Sequence, residues 1–141
     1  MPWSPDGRYL AYTKKRDIWL FETETEQTSR LTESGQIMPR TFSDRFNWAP
    51  RSDRIVYIES EDEEKDRMYV IDMTSQEPEL VLEEEELAHP VWSPDPEENA
   101  VYYRSTSPDG VMKVNINNSE SDKLDQLGRT SFAVSALIEG K

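Results

Sequence analysis

Three of the four tryptophans, Trp3, Trp48 and Trp92, stand 45 and 44 residues apart, and each opens the same short pattern. The first copy reads Trp3-Ser4-Pro5-Asp6-Gly7 followed by Leu10-Ala11-Tyr12. The second reads Trp48-Ala49-Pro50-Arg51-Ser52 followed by Ile55-Val56-Tyr57. The third reads Trp92-Ser93-Pro94-Asp95-Pro96 and then, one residue late, Ala100-Val101-Tyr102. A chain of 141 residues holds three such units and little else. A fixed period of this length makes one supersecondary unit the repeat, and such units bury their apolar faces only by stacking on each other.

Each unit resolves into short runs rich in tyrosine, valine and isoleucine, which suit a pleated, half-buried surface. In the first unit these are Pro2–Ser4, Arg8–Thr13, Asp17–Phe21 and Thr28–Thr32, with Lys14-Lys15-Arg16 as a turn. In the second they are Arg45–Trp48, Arg54–Glu59, Arg67–Asp72 and Glu79–Leu82. In the third they are Pro90–Ser93, Ala100–Arg104, Val111–Asn115 and Lys123–Leu127. The Ser4-Pro5-Asp6-Gly7 turn has its own logic. Proline presets φ, the aspartate accepts backbone N–H bonds, and glycine tolerates positive φ at the exit. Ser52-Asp53 and the longer Pro96-Glu97-Glu98-Asn99 are degraded versions of it. A second Ser-Pro-Asp-Gly, Ser107 to Gly110, has no tryptophan before it and reads as a hairpin turn.

Four strands per period of about 45 residues predict an all-β fold of β-propeller blades. The expected blades are about 2–32, 45–82 and 90–127 within a single domain, 1–141. A further opening strand is expected at 131–138, within Ser131-Phe132-Ala133-Val134 and onward. Three blades do not close a ring, and propellers have 4–8. The chain is therefore expected either to lack blades that a longer chain supplies or to form a homo-oligomer. In the latter case two copies make a six-bladed ring, with the faces bearing Trp3, Tyr12, Phe132 and Val134 buried at the junction.

The charge balance, 16 basic against 29 acidic residues, repels phosphate backbones and anionic lipid, so nucleic acid is not an expected partner. Cysteine is absent, which removes disulfides and thiolate metal sites without separating cytoplasm from periplasm. No apolar run approaches the roughly 20 residues of a membrane helix. Met1-Pro2-Trp3 enters a repeat at once, with no signal-peptide pattern. The expectation is a soluble protein, periplasmic or cytoplasmic, without membrane insertion.

The units resemble the PD40, or TolB-like, propeller repeats, a WD40-like family. His89-Pro90-Val91-Trp92-Ser93-Pro94-Asp95 carries that family's opening. Asp17-Ile18-Trp19-Leu20-Phe21 and Arg30-Leu31-Thr32 carry its later strands, as does Met68-Tyr69-Val70-Ile71-Asp72. The resemblance spans roughly residues 2–127 and extends to the propeller blades of tricorn and dipeptidyl-peptidase-like proteins. In peptidases of that type the catalytic triad sits on a separate hydrolase domain. The second copy departs from the pattern by Arg51-Ser52 in place of Asp-Gly, and the third lacks the glycine.

No constellation for catalysis emerges. There is no Gly-x-Ser-x-Gly elbow, and a serine–histidine–acid site would have to use His89, the sole histidine, whose place before Pro90 reads as structural. Zinc sites draw on several histidines or cysteines. The acidic runs Glu59–Glu64 and Glu83–Glu86 lack the spaced ligands and central glycine of a calcium loop and read as solvated turns. No catalytic, cofactor or metal residue is therefore assigned. Asn117-Asn118-Ser119 fits a glycosylation sequon. Trp3, Trp48 and Trp92 follow the repeat and are expected between blades, with Trp19 in the place of Tyr69. What remains for function is the loop surface of Ser34–Asp44 (with Met38 and Arg40), Glu59–Asp66 and Glu83–His89. The reading is a noncatalytic scaffold for protein or peptide partners. The alternatives are part of a serine peptidase's propeller, or a propeller small-molecule hydrolase or lyase.

Overall fold

The computed structural model describes residues 3–37, 45–60, 65–106 and 109–124. Among them lie eleven strands and no α-helix. Blade 1 holds β1 (Tyr9–Lys14), β2 (Asp17–Glu22) and β3 (Gln27–Arg30). Blade 2 holds β4 (Phe46–Trp48), β5 (Arg54–Ser60), β6 (Asp66–Asp72) and β7 (Pro78–Glu84). Blade 3 holds β8 (Leu87–Trp92), β9 (Ala100–Thr106), β10 (Asp109–Asn115) and β11 (Ser121–Lys123). Each blade is an antiparallel sheet with its strands in sequence order. In blade 1 the expected opening strand is reduced to a single bridge between Trp3 and Leu10. The expected start of a fourth unit, 131–138, lies outside the described residues, as do the last positions of the run Lys123–Leu127.

Local chemistry explains the turns. Lys15 and Arg16 both adopt positive φ, the conformation a two-residue hairpin needs to match strand twist. Gly7 takes φ of 75° at the exit of its turn, and Ser52 takes 61° at the same place in blade 2. The third blade begins at Leu87, three residues ahead of the expected Pro90. Proline has no N–H to give a ladder, and β8 accommodates it with a register shift between Ala88 and Val91. His89 sits in that bulge at φ of 53°, exposed.

Strand alternation gives each blade two faces. Ala11, Ile18 and Leu20 of blade 1 pack with Trp48, Ile55, Tyr57 and Ile71 of blade 2. Val56, Ile58, Met68 and Val70, on the other side of blade 2, pack with Trp92, Val101, Tyr103, Met112 and Val114 of blade 3. The aliphatic face of one blade thus meets the tryptophan face of the next. Tyr9 stacks on Trp48 at 6.0 Å, and the Arg54 guanidinium lies 4.4 Å over the Trp92 ring.

This packing corrects the alignment of the third copy. Trp3 bridges Leu10, Trp48 pairs with Ile55, and Trp92 pairs with Val101. The turn-closing backbone bonds agree, running from Ser4 to Tyr9, from Ala49 to Arg54 and from Ser93 to Ala100. The third turn is therefore two residues longer than the others, not one. An even insertion preserves the alternation of faces. Tyr103, not Tyr102, is the counterpart of Tyr12 and Tyr57.

Trp48 and Trp92 are 5% and 4% exposed, as expected of inter-blade residues, whereas Trp3 is 43% exposed. The difference is positional: no described residue stands where a blade ahead of blade 1 would pack.

Candidate functional site: the groove between blades 1 and 2

The described parts of the three loop regions left over by the repeat, 34–37, 59–60 with 65–66, and 83–89, are tied to each other. The Ser34 hydroxyl donates to the Glu59 carboxylate, joining the first region to the second. The Leu87 N–H donates to Asp66 Oδ2 at 2.9 Å, joining the second to the third. The stretch 38–44, with Met38 and Arg40, and the stretch 61–64 lie outside the described residues.

Glu59 corrects the reading of its acidic run as wholly solvated. It belongs to β5 and is only 6% exposed. Two positions after Tyr57, it shares that tyrosine's side of the sheet and faces blade 1. Extending the alternation of Ile55 and Tyr57 by one step would have placed it. Ser60 is buried too; it donates to Asp66 Oδ1 at 2.5 Å and accepts from the Arg45 guanidinium at 2.8 Å. Glu83, in the other run, is held by Arg67 at 2.5 Å.

Between β3 and blade 2 these groups wall a groove of about 470 Å³, to which Arg30, Ser34, Tyr57, Glu59, Tyr69 and Gln76 contribute. Tyr57 and Tyr69 stack at 5.5 Å along its floor. Burial, reinforced by the charge of Glu59, raises the Tyr57 phenol well above its ordinary pKa, so it remains a neutral hydrogen-bonding group. A second hollow of about 200 Å³ continues past Gln76 along Thr28 and Ser29. β3 is the outer strand of its sheet, and all four of its residues are exposed.

The charged groups at the groove's end are committed to architecture. Asp17 is buried and accepts from the Gly35 N–H and the Thr32 hydroxyl, both at 2.9 Å, and from the Arg30 guanidinium at 2.7 Å. Burial pushes its carboxyl up, but these three donors outweigh that and hold it below the ordinary carboxylate value. Arg30 also donates to the Thr32 carbonyl. Among the described residues no group of three or more histidine, cysteine, aspartate or glutamate side chains is arranged to hold a metal ion. His89 stands in its bulge at the start of blade 3, away from the groove-lining residues.

Comparison with known proteins agrees with this architecture. The chain resembles the putative TolB from Agrobacterium tumefaciens at 20% identity and a TM-score of 0.69, over 86% of this chain and 44% of that one. It resembles oligogalacturonate lyase from Vibrio parahaemolyticus at 17% identity and 0.66, over 86% and 38%. It resembles dipeptidyl peptidase 4 from Porphyromonas gingivalis at 11% and 0.66, over 86% and 24%. The chain thus spans less than half the length of each, and at these identities the likeness is one of fold. No curated protein sequence matches it. The model of the dipeptidyl peptidase IV (DPP IV) N-terminal region matches residues 1–125, and the chain belongs to that family.

Proposed function

We propose that the chain is a noncatalytic propeller scaffold that binds an extended peptide segment of a partner protein in the groove beside β3. The observation that carries this reading is the exposed outer edge of β3 running beside a trough with a tyrosine floor. An exposed strand edge offers alternating backbone donors and acceptors to an incoming chain, and adjacent hollows take its alternate side chains. Glu33, Glu59 and the net charge of −13 favour peptides without net negative charge.

The test is binding of a fluorescein-labelled library of extended, neutral-to-basic peptides, read by anisotropy. Gln76 and Ser34 are exposed, so Gln76→Trp and Ser34→Arg fill the groove, the second with loss of the Ser34–Glu59 hydrogen bond. Each is expected to weaken binding about tenfold or more, roughly 1.4 kcal/mol. Peptides that bind wild type and both variants alike would place the binding surface elsewhere.

The family match favours a second reading, in which these blades belong to the propeller of a serine peptidase and the groove contacts peptides on their way to a separate hydrolase domain. A full-length gene without a Gly-x-Ser-x-Gly segment removes that reading and leaves the first intact.

A further inference from the structure

The two outer strands that flank the groove, β3 and β7, each leave something unused on the side turned to it. The Leu31 N–H donates to the Ile18 carbonyl at 2.8 Å, and the register sets Ser29 opposite Leu20 and Gln27 opposite Glu22. These alternate residues turn their backbone groups to β2. The N–H and carbonyl of Thr28 and Arg30 therefore point out of the sheet, past its last described strand. Across the groove, β7 sets Leu80 opposite Tyr69 and Pro78 opposite Ile71. Tyr69 and Ile71 pack in the cluster between blades 1 and 2, so Leu80 and Pro78 stand on that same side. Leu80 is nevertheless 54% exposed, more than any other large apolar side chain among the described residues.

One occupant answers both features. Packed sheets stand about 10 Å apart, so a strand added to the edge of β3 lies over β7 and points every second side chain at Leu80 and Pro78. The side chains of Ser29 and Gln27 beside it are polar and exposed, which leaves β7 to supply the apolar contact. Glu33 lines the groove and Glu77 lies between two of its lining residues, so basic flanks suit the incoming segment. We infer that the ligand of the groove is a β-strand with alternating apolar side chains, which pairs antiparallel with β3 through Thr28 and Arg30 and rests those side chains on Leu80 and Pro78. Antiparallel pairing is the more stable per residue, and it is the kind found at every described strand pair. In that orientation opposite residues share a face. The ligand residues bonded to Thr28 and Arg30 then turn their side chains away from β7, and the residues between them turn toward it.

The inference rests on the groove being a peptide site, and the experiment keeps the two apart. The probe is fluorescein-labelled Lys-Thr-Val-Thr-Phe-Thr-Val-Thr-Lys, read by anisotropy against the whole chain. It is expected to bind about tenfold more tightly than Lys-Val-Thr-Thr-Phe-Thr-Thr-Val-Lys, the same residues with the alternation broken. N-methylation of either threonine beside the phenylalanine removes an amide that faces β3 and is expected to cost about tenfold. N-methylation of the phenylalanine, whose amide faces solvent, should cost less than about twofold. Leu80→Ser, at an exposed position, is expected to bring the two probes to similar affinity. No binding of the alternating probe, equal affinity of the two, or indifference to Leu80→Ser overturns the inference. Equal methylation costs, or the reversed pattern of a parallel strand, overturn it too. If it fails while library peptides still lose affinity with Gln76→Trp, the groove remains a peptide site without strand pairing. If no library peptide responds to Gln76→Trp, both readings fall.

Discussion

Asp17 shows what a single buried carboxylate does for a blade. It gathers the Gly35 N–H, the Thr32 hydroxyl and the Arg30 guanidinium, so the chain leaving β3 is fastened back to the start of β2. Replacing it by alanine takes the acceptor from the buried Thr32 hydroxyl and the part-buried Gly35 N–H, while the half-exposed Arg30 turns to water, and Asp17→Ala is expected to cost about 2 kcal/mol in urea denaturation. The same contacts set a pH dependence. Because folding lowers this pKa, the contribution is fully present above the unfolded value, near 3.8, and disappears as pH falls through the lower folded value. The wild-type advantage over Asp17→Asn should therefore shrink below about pH 4. An advantage constant down to pH 2 would show that the carboxylate's charge is not what matters. The sequence marked Asp17, Arg30 and Thr32 as repeat elements. It could not show that they converge on Gly35, because that contact depends on how the outgoing loop folds back.

At the scale of strands, the repeat period was legible because tryptophan, proline and tyrosine recur at fixed steps, and blade faces follow from alternation. Two details were not. The extra length of the third turn looks like one residue when Ala100-Val101-Tyr102 is matched by residue type. The pairing of Trp92 with Val101 and the bond from Ser93 to Ala100 show it to be two. Glu59 closes the predicted strand Arg54–Glu59 and also opens an acidic run that reads as solvated, while β5 carries its side chain inward. The third turn also makes a prediction. Deleting Pro96 and Glu97 together restores the length found in blades 1 and 2 and keeps every side chain of β9 on its face. Deleting Glu97 alone forces a one-residue slip that sends Val101 and Tyr103 away from blade 2. The single deletion is expected to destabilise by several kcal/mol more than the double, judged by core burials of about 2 kcal/mol each. Equal melting temperatures would mean that the turn absorbs the change without transmitting it to the sheet.

For the molecule as a whole, 29 acidic against 16 basic residues give a surface at odds with itself. Several ion pairs offset the repulsion locally, among them Arg8 with Glu22 and Arg67 with Glu83, but these lie at the surface within reach of solvent and contribute little. Screening should therefore help more than it harms. Raising potassium chloride from about 10 mM to 300 mM shortens the screening length severalfold, and the melting temperature is expected to rise. A fall would show that the ion pairs outweigh the excess charge.

The turns that join one blade to the next also have a consequence for how this molecule responds to being held. The Asp6 N–H donates to Ser52, Arg51 pairs with Glu97, and Arg54 donates to Asn99, each link reaching one repeat ahead and no further. Such an array behaves as a row of coupled spins, in which each unit feels only its neighbours. A ligand wedged between blades 1 and 2 would slow amide exchange in those two sheets. Blade 3 would exchange at nearly its former rate, so the seam that is occupied could be read directly from where protection appears.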